Sequence, residues 1–211
     1  IRDRAYTDPA AALDAYEQTI LAAPQRRLHT DPIVHAYAIT ARRCGFHREY
    51  LAAFFNSMRA DLTQREYSPS ELQDYIYGSA EAIGLLCLQI FLAEEDVSPA
   101  DRAAMERGAR ALGSAFQKIN FLRDLGEDSS TLGRTYFQQA PSGRIDEATK
   151  SALIAEIRQE LATAALTIDV LPASARVGVS AAADIFAELT NRLAATPARA
   201  LATTRVSCLL Y

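Results

Sequence analysis

The chain has 211 residues, 49% of them hydrophobic, which is enough for one domain with a sizeable core. A net charge of −4 and a pI of about 5.4 argue against a nucleic-acid partner held by charge. Three scattered cysteines, Cys44, Cys87 and Cys208, suggest neither a disulfide framework nor a zinc site and fit a reducing, cytoplasmic setting.

Lys118 and Lys150 are the only lysines, which reads as a bias towards arginine. His29, His35 and His47 have no metal-ligand spacing and read as surface or structural groups. The longest apolar run, 82–93, is interrupted by Gln89 and is too short to span a bilayer, and no secretory pattern is seen.

Helical periodicity dominates from the start, and no strand pattern competes with it. Asp8-Pro9, Asp31-Pro32, Ser68-Pro69 and Ser98-Pro99 each place a capping side chain before a proline suited to the first helical position. Glu71 and Asp101 add an acid three residues after their caps, where the helix dipole favours it. Helices are expected near 8–23, 31–44, 47–64, 69–94, 99–125, 145–170 and 174–195. Gly45, Gly126, Gly133 and Gly143 mark breaks. The longest break, 127–144, has the length and position of a lid.

In the fourth helix, Gly78 and Gly84 each cost about 1 kcal/mol relative to alanine. They should therefore mark close helix contact or room for a ligand. Glu81, in the middle of the same helix, needs a partner and is expected to face a neighbouring helix.

The fifth helix carries the chemistry. Gln117, Asn120, Asp124 and Asp128 fall in one stripe, since residues three or four apart share a face. Asp124 and Asp128 then lie about 6 Å apart along the axis. Two carboxylates that close repel unless a cation separates them. A row of oxygen donors suits Mg²⁺, which takes one or two carboxylates and completes its shell with water and phosphate. The competing reading is a solvated acidic face neutralised by Arg123 and Arg134. Ile119, Phe121, Leu122 and Leu125 flank the stripe and favour an interior position.

The run from Asn120 to Asp128, followed by Gly133-Arg134-Thr135-Tyr136-Phe137, resembles the second aspartate-rich motif of the squalene/phytoene synthase family. Within that family it is most similar to bacterial phytoene synthases. Tyr75, Tyr77, Gly78, Ala80 and Gly84 resemble the family's central motif, with Glu81 where many members have glycine. Met58-Arg59-Ala60-Asp61-Leu62, with Arg65 and Tyr67, is similar to an upstream family segment. Thr204-Arg205-Val206-Ser207 resembles its closing segment, and Phe186 stands where several relatives have tyrosine.

The resemblance implies an all-α isoprenoid synthase fold: one helical bundle around a central apolar cavity. It implies head-to-head condensation of two geranylgeranyl diphosphates to phytoene through a cyclopropyl diphosphate. Asp124, Asp128 and Asn120 would hold Mg²⁺, with Mn²⁺ as an alternative, and Asp3 would be the last aspartate of a first motif. Gln117, Arg134 and Tyr136 would line the diphosphate side, and Tyr77 would face the reacting carbons. Leu85, Leu86, Leu88, Ile90, Phe91, Phe116 and Phe121 are the expected cavity walls.

The sequence starts at Ile1, and the resemblance implies that an N-terminal helix and most of the first motif lie before it. A chain truly beginning there is expected to be inactive. Substrates and products of this kind imply a protein that touches the membrane surface without spanning it. Three other readings stand beside the first. They are a squalene or dehydrosqualene synthase acting on farnesyl diphosphate, a non-catalytic scaffold, and a helical bundle binding another lipid.

Overall fold

The computed structural model describes residues 8–127, 136 and 144–207. Asp8 caps α1 (Pro9–Ala22) by accepting from the backbone N–H of Ala10 and Ala11. A short 3₁₀ turn, Ala23–Gln25, follows. Asp31 caps α2 (Pro32–Cys44) through Ile33 and Val34, and α2 stops at Gly45, whose φ of +63° suits glycine. The third helix, α3, is Arg48–Thr63. Ser68 and Glu71 close a reciprocal capping box on α4 (Pro69–Ile76), and Ser98 caps α6 (Pro99–Arg123) through Asp101. All four proline-led caps read from the sequence are present.

The fourth helical stretch is not uniform. Between α4 and α5 (Ala82–Phe91) the residues Tyr77–Glu81 form a π turn, with the Ala82 N–H bonded to the Tyr77 carbonyl five residues back. The extra residue lies where the helix passes closest to its neighbours. A side chain on Gly78 would run into the Ala53 carbonyl and the Ser57 hydroxyl of α3. One on Gly84 would sit 2.6 Å from the Ala109 carbonyl of α6, and one on Gly113 would sit 2.7 Å from the Ala80 carbonyl. The glycines therefore serve helix-to-helix contact, bringing α5 and α6 backbone to backbone and antiparallel.

The remaining helices are α7 (Leu125–Glu127), α8 (Glu147–Ile168), α9 (Ala173–Ala195) and α10 (Ala198–Leu201). Described residues include no strand, and no helix among them is long and apolar enough to cross a membrane. The main core joins Ile119 and Leu122 of α6 to Ile157 of α8 and Leu193 of α9. A second cluster packs Leu13, Ile20, Val34 and Phe55 of α1–α3. Arg59 of α3 ties α1 down through Asp14, at 2.8 Å, and Glu17.

Candidate active site

The α6 helix runs along the floor of an apolar hollow of about 550 Å³. Met105, Gly108, Ala109, Leu112, Gly113 and Phe116 present one face of it to the space. α5 supplies one flank with Gly84, Leu88 and Phe91, and α8 and α9 supply the other with Thr167 and Val179. Of the expected wall residues, Leu88, Phe91 and Phe116 line this hollow. Leu85 faces a smaller one beside His47 and Tyr50, and Ile90 is 38% exposed. Leu86 is buried outside the hollow, and Phe121 is buried in an aromatic stack.

One turn beyond Phe116 on the same side of α6 comes Asn120, and one turn beyond that Asp124. Gln117 lies beside them, half-buried. The dry face thus becomes an oxygen-bearing one within about 6 Å of helix. The Asn120 side-chain oxygen is buried and has no hydrogen-bond partner among the described residues. Such an oxygen is costly unless something else satisfies it, and a cation is the natural candidate.

The helix does not continue unbroken through the stripe. It ends at Arg123, and Asp124 takes the cap position with φ −100° and ψ 9°. The turn has a packing cause: a side chain on Gly126 would strike the Ala202 carbonyl, so the backbone bends to close against the segment after α10. Asp124 is four-fifths buried and sits among cations. Arg123 donates to both its oxygens, at 2.9 and 2.6 Å, and the Arg205 Nε lies 3.0 Å from Oδ1. These groups and Thr203 and Thr204 surround a polar recess of about 230 Å³.

Tyr136, the one described residue between 128 and 143, is buried at 5% exposure. It stacks on Phe121 at 4.0 Å and on Tyr67 at 5.6 Å. Tyr75 leans against the same stack and donates its hydroxyl to Asp61 Oδ1 at 2.9 Å. Burial, then the nearby Tyr136 and Asp61, push the Tyr75 hydroxyl well above the ordinary phenol range, so it stays a donor. Tyr77 is not among the residues lining the large hollow. Its ring lies under the Arg110 guanidinium at 5.4 Å, and Arg110 pairs with Glu81 at 2.7 Å. Glu81 thus has the partner on a neighbouring helix that its position demanded.

A model of the squalene/phytoene synthase family matches residues 1–140. The chain belongs to the squalene/phytoene synthase family. It is 44% identical over 86 residues to "Phytoene synthase 3, chloroplastic" of Zea mays, a match covering 39% of this chain and 19% of that protein. It is 33% identical over 111 residues to 4,4'-diapophytoene synthase of Staphylococcus haemolyticus, covering 52% and 36% respectively. The chain therefore spans well under half the length of either relative. A squalene synthase from Alicyclobacillus acidocaldarius superposes with a TM-score of 0.73 at 20% identity, over 92% of this chain and 78% of that one. That likeness confirms the all-α synthase fold.

Asn120 and Asp124 follow Phe116 on successive turns beyond the hollow, with Gln117 beside them, and Tyr136 stacks on Phe121. Tyr77 stands apart with Arg110. Asp3, Asp128 and Arg134 lie outside the described residues, as does most of the expected lid. Arg205 is the group that spacing does not reveal, since it is remote from Asp124 in sequence. The available signal is the resemblance of Thr204-Arg205-Val206-Ser207 to the family's closing segment.

Mg²⁺ requires hard oxygen donors. Among the described residues no three His, Cys, Asp or Glu converge on a point. One carboxylate, Asp124, and one buried amide oxygen, Asn120, lie four residues apart where α6 ends. Both are hard oxygen donors, and Mg²⁺ needs no more from protein when substrate phosphate completes its shell. The residues fit.

Proposed function

We propose that the chain carries the catalytic site of a head-to-head prenyltransferase that joins two geranylgeranyl diphosphates to form phytoene. The observation that supports this best is the α6 face, which runs from a dry hollow at Phe116 to Asn120 and Asp124 within two turns. An amphiphile with an anionic head and a long apolar tail matches that gradient. Hydrophobic transfer at about 0.8 kcal/mol per buried methylene gives such tails ample binding energy.

In this reading Asp124 and Asn120 would hold Mg²⁺, with Asp128 and Asp3 as further ligands. Mg²⁺, when bound, would supply the charge that stabilises a departing diphosphate. Arg123 and Arg205 flank the recess beside Asp124, where guanidinium groups suit diphosphate oxygens. Arg134 is proposed for the same task. The hollow's apolar lining disfavours the water that would quench a carbocation. Gln117 would line the approach, and Tyr136 would support it from the aromatic stack on Phe121. Tyr77 is proposed for guiding proton loss through its hydroxyl, since the guanidinium of Arg110 already lies over its ring.

The fifteen-carbon reading keeps a specific support, the similarity to a 4,4'-diapophytoene synthase. Incubation with each diphosphate and Mg²⁺, followed by hydrocarbon analysis, separates the two. A forty-carbon product is expected, and exclusive use of farnesyl diphosphate would overturn the choice. Asp124→Ala is expected to abolish turnover with helix content unchanged. Undiminished product from that variant would refute the site.

A further inference from the structure

We propose that Met105 is the stop that sets how long a prenyl tail the hollow accepts, an inference that rests on the function proposed above. A tail held by its head at Asn120 and Asp124 is tethered at one end, so the opposite end of the hollow measures it. Met105 lies about 16 Å along α6 from Phe116 and about 22 Å from Asn120 at ~1.5 Å per residue. Between them the floor is largely low, with Gly108, Ala109 and Gly113 on the lining face. The contacts of Gly84 and Gly113 with backbone carbonyls hold this wall rigid.

Towards Met105 the lining passes into packed core. Its side chain is 4% exposed and packs with Leu88 and Leu92 from the end of α5 and with Leu171 from the α8–α9 turn. Three elements converge there and narrow the space open to a tail. The flank is different: Ile83 is 36% exposed, and a side chain added at Gly178 would meet nothing within 4 Å. The hollow therefore limits length more sharply than width. Methionine is unbranched and fills irregular gaps, so its volume adjusts where the end wall formed with Leu171 stands.

The test uses competition by prenyl diphosphates of ten, fifteen, twenty and twenty-five carbons against a fluorescent apolar probe, with Mg²⁺ present and without turnover. In the unaltered protein each added five-carbon unit is expected to tighten binding by at least about tenfold up to twenty carbons, with no gain beyond. Met105→Ala is expected to extend the gain to twenty-five carbons, and Met105→Phe to end it at fifteen. Leu171→Ala opens the same end from the opposite wall and should mimic Met105→Ala. It reads the stop independently if the first variant fails to fold. A cut-off unmoved by all three substitutions overturns the Met105 assignment while leaving the proposed function intact. Failure of every chain length to bind overturns both.

Discussion

Replacing Lys118 with methionine tests how α6 and α8 are held in register beside the site. The Lys118 ammonium is 2.6 Å from Glu156 Oε1 and 2.6 Å from Glu160 Oε1, and Glu160 Oε1 also accepts from Ser114 at 2.8 Å. Burial alone would lower the ammonium's pKa, but the hydrogen bonds to Glu156 and Glu160 outweigh it and hold it above its ordinary value. Glu160 moves the other way in energetic terms. Burial raises its carboxyl pKa, Lys118 and Ser114 only partly offset that, and Oε2 is buried without a hydrogen-bond partner among the described residues. The lysine gains from the cluster, and the buried carboxylate bears the cost. Removing one partner of a buried ion pair costs about 3–5 kcal/mol. Glu156 is half-exposed and Glu160 keeps Ser114, so the lower end, about 3 kcal/mol, is expected. For a domain of this size that is a fall of roughly 6–12 °C in melting temperature. The pH dependence has a fixed sign. Without the lysine, Glu160's folded pKa rises further above its unfolded value. The variant therefore fares best below the ordinary carboxylate range and loses stability as pH rises through that raised value. Denaturant melts of both proteins at pH 5 and pH 8 check this, and Glu160→Gln in the same background should recover part of the loss at pH 8. A deficit under about 1 kcal/mol at pH 8, equal at pH 5, would refute the reasoning.

Gly108→Ala should destabilise the protein by about 1–2 kcal/mol despite alanine's better helix propensity, because the new methyl meets the Thr167 hydroxyl on α8. Thr167→Ala in the same chain should restore most of it in a thermal melt. Arg205→Gln should change stability by less than about 1 kcal/mol, since the side chain is mostly exposed and Arg192 still holds the segment through the Ser207 carbonyl. The same variant should bind Mg²⁺ more tightly in calorimetry without substrate, because Asp124 loses a competing cation. Weaker binding would show that Arg205 positions the carboxylate instead.

The fold was legible because its signals are local. A cap, a proline and an apolar stripe announce α1, α2, α4 and α6, and the boundaries of the seven expected helical stretches lie within about three residues of those observed. The site was legible only along one helix. Asn120 and Gln117 could be placed beside Asp124 by periodicity, but the bend at Asp124 could not, because its cause is Ala202, remote in sequence. Gly78 and Gly84 announced a tight place in the chain, yet α3 and α6 had to be present before packing could be told from ligand space. Tyr77 illustrates the same limit. Helical periodicity gave it a side of the helix, and the π turn with Arg110 above decided what that side meets.

The two lysines carry a related lesson. In a chain so rich in arginine their number reads as drift, but both ammonium groups are buried among oxygens. Lys118 joins α6 to α8, and Lys150 donates to the carbonyls of Ala194 and Thr196 at the end of α9. A compact charge with three freely directed donors suits such closed sites, where a planar guanidinium would need more room and a flatter set of acceptors. The arginines around Asp124 meet the opposite requirement. Arg123 grips the carboxylate with two nitrogens, and Arg205 reaches it from a separate segment across an open recess. The cations have thus been sorted by geometry. Point charges fasten the bundle where nothing should move, and forked charges surround a carboxylate that, under the proposed function, would exchange partners when an anionic head and a metal bind.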